Sequence, residues 1–263
     1  MSLLKAVYSS GRIISELVAI DLPQEILSNT SYEADIMNGV FSRLQHLDLR
    51  ISEFQSSNGM PCDEYFRGRD LAATTLRRLL NEPNDLQRLS LSFLDRELEF
   101  SFAVLKRTKL DRSPRRWLPG LKQLSLSNFI ATWPDLKYLL EDATSLKSLT
   151  LREGTLRKGS MIDLLMTLRG LKLDEICIDG RWVTDEAMGE WHSHGEDDFS
   201  GCTMYGGPSD VKGLRSEIES YIISGGECPL PEIWVHDAGE SVWCMKKGDA
   251  SWHWVIRDYG QPL

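Results

Sequence analysis

Long apolar runs are missing from this sequence of 263 residues, and so is an excess of basic charge. No stretch of about 18 consecutive apolar residues occurs, so the sequence predicts no membrane-spanning helix. The amino-terminal segment also lacks the apolar core and small-residue cleavage site of a signal peptide. The formal net charge of -9 argues against a general nucleic-acid coat, because such a protein needs a basic face to displace phosphate counterions. We expect nucleic acid and membranes not to be partners.

Closely spaced cysteine pairs are missing as well. The five cysteines are odd in number, widely scattered and never form a C-x-x-C motif: Cys62, Cys177, Cys202, Cys228 and Cys244. This usage is typical of free thiols in a reducing compartment. We therefore expect a cytoplasmic or nuclear protein.

Catalytic motifs are the third absence. The sequence has no G-x-S-x-G, no H-E-x-x-H, no phosphate-binding loop and no G-x-G-x-x-G, so we expect no enzyme and no cofactor. The closest approach to a metal site is His192 and His194, which precede a run of carboxylates at 196–198. Structural zinc sites have more complete Cys/His sets, so we expect no bound metal. A metal-dependent or other enzyme that uses this His192/His194 loop remains an alternative.

A recurring L-x-x-L-x-L pattern is what the chain does contain. The last two apolar positions of each copy alternate with polar residues, which predicts a strand with one buried face. Two middle intervals exceed the period of about 20 to 29 residues that leucine-rich repeats show, which indicates insertions. The six copies are Leu17-Ile20-Leu22, Leu44-Leu47-Leu49, Leu86-Leu89-Leu91, Leu121-Leu124-Leu126, Leu146-Leu149-Leu151 and Leu173-Ile176-Ile178.

Helical patterns occupy several of the intervals between the copies. The predicted helices are Leu71–Leu80 after the N-cap Asp70, Asp135–Ala143 after Pro134, and Ser160–Leu168 before Arg169-Gly170. Alternating strands and helices predict an α/β fold: an irregular leucine-rich-repeat-like solenoid with a parallel sheet and helices on one side. The regular Asn of standard repeats is replaced by Ser52, Leu94, Phe129, Gly154 and Arg181, which is why we expect irregularity.

The repeat pattern ends near Trp182, which divides the chain into two predicted parts. Residues 1–183 are the solenoid, and residues 184–263 are a C-terminal loop, helix and β-rich cap packed on its end. Within the second part we expect a Gly-rich loop at 190–208 and an amphipathic helix at 210–224. The tail at 230–259 carries four tryptophans at strand-like spacing, which completes the predicted Trp-rich cap.

Four segments connect the chain to a family: FSRLQHLDLRIS at 41–52, LPGLKQLSLSNF at 118–129, TSLKSLTLREGTL at 144–156 and LRSEIESYIISGGECPL at 214–230. With them the chain resembles the leucine-rich-repeat-like region of filamentous-fungal F-box-type proteins. The resemblance implies a substrate receptor of a cullin ubiquitin ligase, in which the F-box holds the adaptor and the repeats hold the substrate. We find no F-box: Leu22–Leu27 imitates the opening L-P-x-E-I-L, but the residues that follow lack its apolar helical pattern. The F-box is therefore either lost or located beyond this sequence.

Two surfaces are candidate binding sites for a protein partner. The polar strip comprises the residues between and after the leucines, on the sheet face that the helices leave open. It consists of His46, Asp48, Arg50, Arg88, Ser90, Ser92, Gln123, Ser125, Ser127, Ser148, Thr150, Arg152, Glu175, Cys177 and Asp179. The basic loop, which suits an acidic partner or a nuclear-localisation receptor, consists of Lys106, Arg107, Lys109, Arg112, Arg115 and Arg116. The alternatives are a solvated face without a ligand and an orphan repeat protein without a link to a ligase.

Overall fold

A computed structural model describes residues 2–28, 36, 39–52, 62–81, 85–93, 101, 104–105, 118–184, 189–192, 211–228, 241–244 and 254–257. The helices are α1 (Ser2–Ser10), α2 (Gln24–Ser28), α3 (Cys62–Asn81), α4 (Trp133–Asp142), α5 (Met161–Gly170) and α6 (Val211–Ser224). The strands are β1 (Glu16–Pro23), β2 (His46–Ser52), β3 (Arg88–Phe93), β4 (Gln123–Thr132), β5 (Ser148–Arg157), β6 (Glu175–Thr184), β7 (Gly189–His192), β8 (Ser241–Cys244) and β9 (Trp254–Arg257).

The main sheet follows the order of the chain. Strands β1 to β6 are parallel and lie side by side in sequence order, and β7 pairs antiparallel with β6. Parallel neighbours need a crossover, which α3, α4 and α5 provide between β2 and β3, β4 and β5, and β5 and β6. A separate antiparallel pair is formed by β8 and β9. The chain is thus an α/β protein with six parallel strands.

Two rows of aliphatic side chains cross the sheet and form the centre of the core. Every member of these rows is buried, and the buried sides of α3, α4 and α5 pack on them in one cluster. Because successive side chains of a strand point to opposite faces, the residues between the rows face away from the helices. One row is Leu47, Leu89, Leu124, Leu149 and Ile176, and the other is Leu49, Leu91, Leu126, Leu151 and Ile178.

The first copy of the repeat starts three residues earlier than its leucines suggest. Leu17 pairs with Leu47 and Ala19 with Leu49, so the first copy is Ile14-Leu17-Ala19. Ile20, which the sequence pattern placed inside, is 69% exposed. The pairing register shifts between Ala19 and Leu22, so the spacing of apolar residues misaligned this copy.

A left-handed residue bends three of the strands at the same place in the repeat. Asp21, Asn128 and Glu153 have φ values of 56°, 52° and 51°, and each stands two positions after the last aliphatic position of its copy. The bend breaks the alternation in β4: Ser127 and Asn128 are both half-buried, and Phe129 then returns to the core. Phe129 and Gly154, which stand where standard repeats carry Asn, are therefore buried.

An aromatic contact spans three strands at this level, and the register shift between β5 and β6 brings Trp182 into it in place of Arg181. Phe129 on β4, Gly154 on β5 and Trp182 on β6 share one row. The rings of Phe129 and Trp182 meet edge to face, with centroids 5.8 Å apart and planes at 85°. They meet across β5 because Gly154 has no side chain: a Cβ atom there would lie 2.7 Å from Cζ3 of Trp182. The indole N–H donates to the carbonyl oxygen of Asp179 at 3.2 Å, so this buried polar group is satisfied.

Backbone carbonyls form a second regular feature, immediately before the strands. One carbonyl oxygen of each copy accepts two N–H groups from the next copy, at distances of 2.8 to 3.1 Å. The Ser15 oxygen, for example, accepts from the N–H groups of Gln45 and His46. This carbonyl ladder links successive copies in register without the Asn side chains of standard repeats. Its acceptors are Ser15, Gln45, Gln87, Lys122 and Lys147.

Helices α4 and α5 begin with the same cap. Thr132 and Ser160 each accept a hydrogen bond from the backbone N–H three residues later and donate to the Asp side chain at that position. Both helices lie where the sequence predicted them, within two residues. The sequence placed Gly170 at the end of α5 as its C-terminal glycine. In the structure Gly170 is still helical, and Leu171 is the C-cap of α5.

The predicted starts of one helix and one loop are wrong. Helix α3 begins at Cys62 rather than after Asp70, so Asp70 is not an N-cap, and its carbonyl oxygen accepts from the Thr74 hydroxyl inside the helix. The sequence of its first half has no regular apolar stripe, and the contact of α2 with α3 supplies tertiary support for this helix. The predicted loop at 190–208 begins later, because Gly189–His192 adds to the sheet as β7. Trp191 pairs there with Trp182, and aromatic residues favour strands.

The C-terminal helix α6 packs on the parallel sheet. It contacts β6 and α5, and Ile218, Tyr221 and Ile222 belong to the same buried cluster as the leucine rows. Arg169 of α5 lies over the Tyr221 ring at 4.9 Å from its centroid and donates to the Gly226 carbonyl oxygen at 3.1 Å. None of the helices in the described ranges is long and apolar enough to cross a membrane.

We predict that Gly154→Ala destabilises the protein by about 1 to 3 kcal/mol, because the new methyl group overpacks the Phe129–Trp182 contact. Urea unfolding measures the effect. Gly170→Ala is the matched control: a Cβ atom there has no heavy atom within 4 Å, and we expect it to be neutral or stabilising by up to about 1 kcal/mol. Equal stability of the two variants would contradict the packing described.

We also predict that Arg169→Ala lowers stability by about 1 kcal/mol, through loss of the ring contact and of one hydrogen bond at an exposed site. A double-mutant cycle with Tyr221→Leu should give a coupling of about 0.5 to 1 kcal/mol. Zero coupling would mean that the cation and the ring do not stabilise the docking of α6.

Candidate partner-binding face

The structure brings every residue of the polar strip to one face of the sheet. They form three rows, each with one residue from each of the strands β2 to β6. The first row is His46, Arg88, Gln123, Ser148 and Glu175. The second row is Asp48, Ser90, Ser125, Thr150 and Cys177, and the third is Arg50, Ser92, Ser127, Arg152 and Asp179. All fifteen are exposed or half-buried, in contrast to the leucine rows between them.

Small hydroxyl residues occupy the middle of the strip. In the second and third rows, β3 and β4 carry only serine, and Thr150 continues the second row on β5. Neighbouring strands are about 4.8 Å apart, so such short side chains leave a shallow channel between longer ones. Hydroxyl groups both donate and accept, which suits polar groups of an extended chain.

Arginines stand on both sides of this channel. In the third row, Arg50 and Arg152 are separated by two serine-bearing strands, which places their Cα atoms about 14 Å apart. Arg50 is exposed and has no ion-pair partner among the described residues. The Nε atom of Arg152 lies 4.0 Å from the Asp179 carboxylate, a long ion pair in which the arginine side chain is exposed.

The third arginine is held differently. The Nε atom of Arg88 donates to the amide oxygen of Gln123 on the next strand. This bond orders the Arg88 side chain within the first row and leaves the rest of its guanidinium available. Together the three arginines give the β2 to β5 part of the strip a basic character, on a chain whose net charge is -9.

An apolar extension of this face was missed by the sequence interpretation. On β1, Val18 pairs with Asp48 and is 54% exposed, and Ile20 follows on the same side at 69%. The sequence contained a signal for this extension. On β1, unlike β2 to β6, aliphatic residues also occupy the positions that correspond to the polar strip. Misassignment of Ile20 to the core concealed it.

The other predicted sites lie largely outside the described residues. All six residues of the basic loop, Lys106, Arg107, Lys109, Arg112, Arg115 and Arg116, fall there, as does His194. The backbone of His192 belongs to β7 and pairs with Arg181. Over the described ranges, no group of three or more His, Cys, Asp or Glu side chains is arranged to hold a metal ion.

Comparison with known proteins returns no relative: no family model, no curated protein and no solved structure matches the chain. The functional interpretation therefore rests on the polar strip and its geometry.

Proposed function

We propose that the chain is a protein-interaction module, an irregular leucine-rich-repeat-like solenoid that binds a partner through the polar strip. The observation that carries the proposal is the in-register alignment of three polar rows over five parallel strands, opposite a continuous leucine core. A face that contacts only solvent does not require three arginines around a channel of hydroxyl side chains. Extended faces of this kind are the surfaces that stacked repeats use for binding.

The strip favours an extended, acidic partner segment over a folded basic surface. Arg50 and Arg152 can each bind a carboxylate, and the serines between them can hydrogen-bond backbone groups of the same segment. The acidic residues Glu175 and Asp179 at the β6 side disfavour carboxylates there, which gives the bound segment a direction. The partner in this proposal is held by recognition alone, without a chemical step.

The resemblance to fungal F-box-type proteins extends this proposal to a cellular role, which we call the receptor form. In the receptor form the chain is a substrate receptor, and the polar strip holds the protein that a cullin ligase modifies, in the cytoplasm or nucleus. A relative with the same strip but no link to a ligase would bind its partner in the same way. The Trp-rich tail, as part of the proposal, closes the β6 side of the solenoid together with β7 and α6.

We predict that Arg50→Glu, Arg88→Glu and Arg152→Glu, combined in one protein, reduce partner recovery at least tenfold without lowering the melting temperature. The reason is that three exposed charges are reversed within the strip while the leucine rows stay intact. Affinity purification from the native cells with quantitative mass spectrometry measures recovery, and thermal unfolding measures stability.

The charge-matched control combines Arg78→Glu, Lys137→Glu and Lys172→Glu, three exposed residues located on helices or connections. It should recover the partner as the unmodified protein does. Recovery that is unchanged in the strip variant, or lost equally in the control, contradicts a role for the strip. Cullin-ligase subunits among the recovered proteins would support the receptor form, and one stable partner without them would favour the orphan form.

A further inference from the structure

The two sides of the main sheet end differently. At the β6 side, β7 covers the edge in antiparallel pairing. At the other side, β1 hydrogen-bonds only to β2 within the described residues. The inward residues of β1 show the consequence: Leu17 and Ala19 are half-buried, whereas their row neighbours Leu47 and Leu49 are fully buried. In the described part of the chain, the core is therefore less completely covered along β1 than along β2.

The outer surface of β1 is apolar as well. Val18 and Ile20 occupy positions that are polar or charged on β2, and both are more than half exposed. Ile13, just before the strand, is 65% exposed. A free sheet edge with apolar side chains on both faces is a template for another strand. The bend at Asp21 does not act as edge protection, since Asn128 bends the interior strand β4 in the same way.

The carbonyl ladder indicates the direction that an added strand would take. In each later copy, the N–H groups of the first strand residue and of the residue before it donate to one carbonyl oxygen of the preceding copy. The equivalent N–H groups in the first copy belong to Ser15 and Glu16, and no preceding unit within the described residues supplies that carbonyl. The ladder joins parallel neighbours throughout, so a parallel strand is what would fill it.

A basic cleft lies at the amino end of the same strand. Its volume is about 280 Å³, and Arg12, Arg43 and the Tyr8 ring contribute to its walls. The Tyr8 ring packs on the backbone of Gly39, where a Cβ atom would lie 2.6 Å from it. Neither guanidinium group has a carboxylate partner in the described ranges. Two like charges that converge on one cleft favour an anionic group between them.

We propose that the β1 edge binds an extended segment of another protein as a further parallel strand. The segment is apolar on both faces, and an acidic residue at its start lies between Arg12 and Arg43. Such strand addition obtains affinity from backbone hydrogen bonds and specificity from alternate side chains. In a second copy, β6 is not available to pair with β1, because β7 already occupies that edge.

Hydrogen–deuterium exchange of the full chain tests the proposal. The probe is a synthetic peptide that begins with two glutamates and continues with alternating valine, leucine and threonine. At a peptide concentration about ten times its Kd, exchange of the Ser15, Glu16 and Val18 amides should slow by about tenfold. Light scattering on the free protein, measured in parallel, should give the mass of a monomer.

Variants test whether the peptide binds at the β1 edge or elsewhere on the molecule. Val18→Lys with Ile20→Lys should abolish protection by the peptide, and Arg12→Glu with Arg43→Glu should weaken peptide binding at least fivefold. The control Met166→Lys replaces an apolar residue on α5 that is 62% exposed and should bind the peptide normally.

Three results would overturn the proposal. A dimer that Val18→Lys with Ile20→Lys dissociates would assign the edge to a second copy. Slow exchange of the Ser15 and Glu16 amides in the free monomer would show that the chain itself covers the edge. Absence of protection at the highest soluble concentration of the peptide would show that the edge accepts no strand of this chemistry.

Discussion

The register between neighbouring parallel strands is the constraint on which the rest of this structure depends. Because side chains alternate along a strand, a slip of one residue would move every leucine of a strand to the open face. The carbonyl ladder prevents such a slip at the start of each strand, with one oxygen that holds two N–H groups of the next copy. The leucine rows and the rows of the polar strip are both consequences of this one alignment.

The same alignment explains how the core closes at the ends of the aliphatic rows. In β4 and β5 a left-handed residue, Asn128 or Glu153, turns the strand after the aliphatic pair, and the next residue, Phe129 or Gly154, is buried. There an aromatic pair fills the space across a glycine-bearing strand. The backbone bonds maintain the register between copies of different length, while Phe129 and Trp182 fill the space that Gly154 leaves open between them.

The polar strip and the β1 edge differ in what they offer to a partner. The strip presents side chains only, since the backbone groups of its strands are paired within the sheet. The edge presents backbone groups and apolar side chains together, beside two arginines that have no carboxylate partner in the described part. A polar segment suits the first surface and a strand-forming segment the second.

Much of the architecture was readable from the sequence. The L-x-x-L-x-L copies predicted strands β2 to β6, because alternating apolar residues have the period of a half-buried strand. Helices α4 and α5 were predicted within two residues, since Pro134 and the cap at Ser160 act locally. The residues of the polar strip were identifiable for the same reason: once the inward positions are known, those between them must face outward.

The remaining features depend on contacts between residues distant in sequence, which local patterns do not encode. The start of α3, the addition of β7 and the edge-to-face contact of Phe129 with Trp182 all require neighbouring elements to be in place. The first copy was misaligned because leucine spacing does not reveal a bend at Asp21. Sequence by itself determined which side chains are apolar and at what period. Only the tertiary structure decided which strand is left at an edge, because a free edge results from how the strands pair.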